Sequence, residues 1–90
     1  MTQEERLELL KADLQMTTGA FDNYLKHLLE TADRMIRQEG ILLTESAADE
    51  TLRIMYAAYL YRRRADPAAV MPRMLRYALN NALFRQKAVT

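Results

Sequence analysis

The chain has no cysteine and no tryptophan, and among its 90 residues stand only two glycines, two prolines, one histidine and one serine. Without cysteine there is no disulfide staple, no thiolate nucleophile and no thiolate metal ligand, and the redox compartment is left unconstrained. Two glycines cannot build a phosphate-cradling loop. The lone His27 has no second histidine or cysteine at ligand spacing, which argues against a metal centre and gives the imidazole a packing or surface role. Scarce glycine and proline, placed where helices would begin or end, also argue against hairpins. No apolar run approaches the roughly 18 residues that span a membrane. The opening Met1-Thr2-Gln3-Glu4-Glu5-Arg6 lacks the basic and apolar regions of a secretory signal, so the expectation is a soluble, intracellular product without membrane partners.

What is present is apolar surface and sorted charge. Half of the residues are hydrophobic, yet a chain of this length buries only about 60 to 65% of the surface it exposes when unfolded, so its stability alone is modest. A second source of burial, such as an oligomeric interface, is expected. Residues 1–50 hold five Lys/Arg against eleven Asp/Glu, a net of −6, while residues 51–90 hold eight Lys/Arg against Asp66 alone, a net of +7. Such asymmetry says little about fold, but it sets which surfaces attract partners, whether nucleic acid or other copies of the chain.

The periodicity predicts an all-α, single-domain bundle of about four helices over residues 1–90. Thr2 with Glu5 forms a capping box for a first helix from about Gln3 to Gln15, whose stripe is Leu7, Leu10 and Leu14, widened by Leu9. Thr18 is the candidate cap of a second helix carrying Phe21, Tyr24, Leu25, Leu28, Leu29, Ala32, Met35 and Ile36, with Gly40 just past its end. Ile41-Leu42-Leu43 reads as a connector tucked under the helices. Thr44 or Ser46 caps a central third helix over about 47–64, with Ala48, Leu52, Met55, Tyr56, Tyr59 and Leu60 along one side. Asp66-Pro67 stops it. Pro72 suits the first position of a fourth helix reaching about Gln86, with Leu75, Leu79, Ala82 and Leu83 inward and Arg73, Arg76 and Arg85 outward.

Catalysis finds little to use. Ser46 is explained as a cap, and Glu4/Glu5 and Asp49/Glu50 stand at helix starts, where carboxylates complement the dipole. No catalytic residue, cofactor or metal is expected. Tyr56 and Tyr59, three apart, read as core residues with hydroxyls at its rim, or as interface anchors. Tyr61 points toward the Arg62-Arg63-Arg64 run, which complements the negative pole of its helix and equally suits a docking edge. Arg73, Arg76 and Arg85, with Asn80 and Asn81 among them, permit a second reading as a small helical DNA-binding regulator. The acidic front half and the loop of about seven residues before the basic helix, in place of a tight helix-turn-helix entry, weigh against it. The two asparagines suit capping or hydrogen bonds between neighbouring helices. A helical interaction module of another kind is a third reading.

The stretch Tyr56-Ala57-Ala58-Tyr59-Leu60-Tyr61-Arg62-Arg63-Arg64, followed after a short loop by Met71-Pro72-Arg73-Met74-Leu75-Arg76-Tyr77-Ala78-Leu79-Asn80-Asn81, resembles the small head-tail connector (adaptor) proteins of tailed bacteriophages and prophages. The order of elements is similar along nearly the whole chain, and the C-terminal block is the most specific part. The resemblance implies a structural protein of virion assembly, placed at the virion head-tail junction and in the bacterial cytoplasm during assembly. It implies a homo-oligomeric ring beneath the portal protein that continues the DNA channel and presents a platform to a stopper or tail protein. DNA would pass through without sequence-specific binding. A ring repeats one heterologous interface, and an acidic half and a basic half supply two such faces. Tyr61, Arg62, Arg63 and Arg64 are the expected interface cluster, with Arg73 and Arg76 as contacts to a neighbouring subunit or the portal.

Overall fold

Thr2 opens the first helix by a reciprocal exchange: its hydroxyl accepts from the Glu5 amide at 3.2 Å, and its own amide donates to the Glu5 carboxylate at 2.9 Å. From that cap a computed structural model, which describes residues 1–89 and the side chains of residues 1–87, follows four helices: α1 (Gln3–Asp13), α2 (Asp22–Gln38), α3 (Ala47–Ala65) and α4 (Arg73–Val89). Among the described residues there is no strand. The all-α bundle predicted by the hydrophobic spacing is therefore the observed class.

α1 stops two residues earlier than its periodicity predicts. Leu14 caps it, Gln15 takes a left-handed φ of 58°, and the Met16 and Gln15 amides turn back to the carbonyls of Lys11 and Ala12 at 2.9 and 3.1 Å. That pair of bonds is the Schellman arrangement, which satisfies carbonyls the helix would leave open. Leu7 and Leu10 are buried, but Leu9 is 46% exposed and does not widen the core stripe. α2 starts without the expected cap. The Thr18 hydroxyl accepts from the nearby Ala20 amide at 3.2 Å, Phe21 occupies the cap position with no side-chain bond, and Asp22 in the first turn is held by the Lys11 ammonium at 3.0 Å instead. Leu25, Leu28, Leu29, Ala32 and Ile36 turn inward, while Phe21 and Tyr24 stay at the rim.

α2 ends as predicted. Gly40 takes φ 93°, where a side chain is strained, and its amide reaches the Arg37 carbonyl at 3.0 Å. In the connector Ile41 and Leu43 tuck under the helices, whereas Leu42 is 71% exposed. Ser46, not Thr44, caps α3 by accepting from the Asp49 amide at 3.2 Å. α3 packs against α1, α2 and α4 and is the centre of the bundle, with Leu52, Ile54, Tyr56, Ala57 and Ala58 buried and Ala48 left outside. Pro72 precedes α4 by one residue: its carbonyl accepts from the Arg76 amide at 3.1 Å, which places it at the cap rather than at the first helical position. Leu75, Leu79 and Ala82 are buried and Leu83 packs beside them, as expected. One apolar core thus draws on all four helices and the connector. Its fully buried leucines and Ile36 each contribute about 1.5 to 3 kcal/mol of transfer free energy.

Candidate interaction surface

Where α1, α2 and α3 meet, charge is buried. The Glu50 carboxylate accepts from the Arg6 guanidinium at 3.1 and 3.0 Å and also from Arg53, which in turn donates to Asp33 at 3.0 Å and to the Thr44 carbonyl at 2.7 Å. Asp49 accepts from the amide and hydroxyl of Thr44, both at 2.8 Å. Asp49, Glu50 and Arg53 are all buried. The two acids do stand in the first turn of α3, yet their work is larger than dipole complement: they anchor a clasp across three helices. At Asp33, burial pushes the carboxyl up, but hydrogen bonds from Arg37 and Arg53 and their charges outweigh it and hold it below the ordinary carboxylate range. Permanent cations grip these acids, which makes them structural.

The two halves of opposite charge are folded onto each other. Arg53 pairs with Asp33, Arg76 with Glu39 at 3.0 Å, Arg62 with Asp13 at 3.4 Å, and Arg85 approaches Asp49 at 3.9 Å. Much of the basic half is thereby matched within the chain. The chain's own acids are the first partners that these four arginines meet, so only the charges left over, such as exposed Arg73 on α4 and Glu8 on α1, polarise the surface.

The six candidate interface residues divide. Arg62 and Arg76 are committed internally, the latter gripping Glu39 with two nitrogens and resting on the Met71 sulfur at 3.4 Å. Arg64 is ringed by aromatics: its guanidinium carbon stands 5.2 Å from the Tyr24 ring and 5.5 Å from those of Phe21 and Tyr61. This pins the end of α3 to the start of α2, each contact contributing about 0.5 to 1 kcal/mol. Tyr61 is half-buried in that pin. Of the six, Arg63 and Arg73 are exposed and make no ion pair among the described residues. Tyr56 and Tyr59 meet edge to face at 6.0 Å, with Tyr56 buried, which is the core arrangement. Burial first, then the charges of Glu39 and Tyr59, push the Tyr56 hydroxyl above its ordinary value against Arg76 and Arg63.

A further surface was not anticipated from the sequence. On α4, Met74, Tyr77 and Phe84 are 74%, 58% and 74% exposed. At 100° per residue they form a second stripe opposite Leu75, Leu79 and Ala82, so α4 has two apolar faces and the core covers one. Asn81 lies in line with that stripe and Asn80 beside it; both are exposed and bridge no pair of helices, contrary to expectation. The signal was in the spacing 74, 77, 81, 84, masked by the stronger inward stripe. α4 carries Arg73, Arg76, Arg85 and Lys87 and no acid. A groove also opens between α1 and α3, lined by Leu9, Ala12, Asp13, Glu50, Ile54 and Met55.

No protein-family model, no curated protein and no solved structure matches this chain. The chemistry of the surface speaks for itself. Among the described residues no cluster of His, Asp and Glu is arranged to hold a metal ion, and no helix is long and apolar enough to cross a membrane. His27 is exposed on α2. What the molecule offers outward is an aromatic and basic helix face suited to docking.

Proposed function

We propose that the chain is a structural adaptor of phage or prophage type, a non-enzymatic subunit that assembles as a ring beneath a portal protein and joins capsid to tail components. The observation that carries this reading is the outward stripe Met74, Tyr77 and Phe84 on a helix whose opposite side is already buried in the core. A small domain does not leave a thioether and two aromatic rings in water along one face without a use, and such residues with nearby arginine are those that anchor protein contacts. Met74 and Tyr77 of the stripe fall on the segment that resembles head-tail connectors, and Phe84 follows it by three residues, which gives the docking face a specific context. The DNA-regulator reading draws less support. Arg76 and Arg85 face acids of their own chain, and the outermost line of α4, which a recognition helix would present to base edges, is mostly Met74, Tyr77 and Phe84.

The deciding experiment mixes purified protein with portal-containing heads and measures co-sedimentation. Binding that saturates at a fixed number of copies per portal supports the adaptor. Absence of binding to heads, together with duplex affinity that falls steeply with salt, transfers the assignment to the regulator.

A further inference from the structure

The α4 stripe and the α1–α3 groove are built from different elements, α4 alone and α1 with α3, and the charged residues beside them differ in sign. α4 has four basic residues and no acid; Arg76 and Arg85 meet Glu39 and Asp49 of the same chain, and Arg73 is exposed beside Met74 and Tyr77. The α1 surface next to the groove carries exposed Glu8, Glu5, which also closes the capping box, and Asp13, which pairs with Arg62 at 3.4 Å. The groove is lined mainly by apolar side chains, Leu9, Ile54 and the flexible thioether of Met55 among them, with Asp13 and Glu50 also in the lining. A thioether at this position adapts to an aromatic ring.

The geometry points to a second copy of this chain as the occupant: the Met74, Tyr77 and Phe84 stripe of one copy seats in the α1–α3 groove of the next, with the basic α4 flank against the acidic α1 flank. This rests on the assembly reading above and names the two faces it uses. The junction is heterologous, because the two faces are made of different residues, so every docked copy presents a fresh groove and a fresh stripe; closure of that series gives a ring. Self-pairing of two α4 stripes would bring like-charged flanks together and is disfavoured by the same electrostatics.

The test uses two variants of the full chain, each altered at exposed positions. Met74→Glu/Phe84→Glu disables the stripe and leaves the groove; Leu9→Arg disables the groove and leaves the stripe. Circular dichroism and melting check that both fold as the parent does. Sedimentation velocity over a concentration series should show the parent self-associating and each variant weakened by about tenfold or more. Equimolar mixing of the two should yield a dimer and nothing larger, since that mixture contains a single kind of competent junction. Assembly of either variant at parental strength overturns the assigned faces while leaving the adaptor reading to the head-binding experiment. Mixed variants that remain monomeric exclude the heterologous pairing. A parent that is monomeric throughout the series overturns self-docking itself, and if it still binds heads the adaptor reading stands without it.

Discussion

At the scale of single residues, Arg53 matters most to the fold. It is a buried cation shared by Glu50, Asp33 and the Thr44 carbonyl, and it links the first turn of α3 to the middle of α2 and to the connector. Removing one member of a buried ion-pair network leaves its partners desolvated, which costs about 3 to 5 kcal/mol. Glu50 keeps Arg6 and Asp33 keeps Arg37, so Arg53→Met is expected at the lower end, about 3 kcal/mol, in urea denaturation near neutral pH. The same variant should change the acid response. Asp33 has a lowered folded value, so its contribution is present above the ordinary carboxylate range and is lost as pH falls through the folded value. Parental stability should therefore decline below about pH 4, and the Asp33 part of that decline should shrink in Arg53→Met. An acid limb identical in both proteins would mean that Arg37 alone sets the Asp33 carboxyl. Nothing in the sequence marked Arg53 out, because a basic residue amid a helix reads as solvated until its neighbours are known.

At the scale of elements, the ends of α1 and α2 show what spacing reveals and what it hides. Both helices close by turning the C′ residue left-handed, with Gly40 in one and Gln15 in the other. Glycine announced the end of α2, whereas glutamine gave no such notice and the helical pattern ran on through Leu14. Gln15→Gly should relieve the strain of a side chain at φ 58° and stabilise the protein by about 0.5 to 1 kcal/mol, read as a higher urea midpoint. A lower midpoint would show that the extra freedom of glycine in the unfolded chain outweighs that relief. The start of α1, the end of α2, the cap of α3 and the inward face of α4 were legible because each depends on residues within four positions. Gln86 was not. Its side chain accepts from the Leu42 amide at 2.7 Å and donates to the Gly40 carbonyl at 2.8 Å, fastening α4 to the α2–α3 connector across more than forty residues. No local pattern carries information of that kind. The outer stripe of α4 is an intermediate case: its spacing was readable, but a helix with two apolar faces does not declare which one the core will cover.

At the scale of the whole molecule, the charge division was legible as arithmetic while its destination was not. Sequence position separates acids from bases, and the fold brings Arg62 to Asp13, Arg76 to Glu39 and Arg85 toward Asp49, so that after those pairs are made Arg73 is left exposed on α4 and Glu8 on α1. These three pairs within the chain have exposed arginines, and such pairs contribute about 0 to 1 kcal/mol each. The buried clasp around Arg53 is shielded from added ions far more than they are. Folding and assembly should consequently answer differently to salt. Near 1 M salt the screening length is about 3 Å, which removes attraction between approaching flanks but not apolar contact once they meet. The urea midpoint should move little between low and high salt, while the association rate, followed by light scattering after a concentration jump, should fall by about tenfold or more. A stability loss as large as the kinetic effect would instead assign the charge division to holding the subunit together, with the apolar stripe alone left to choose its neighbour.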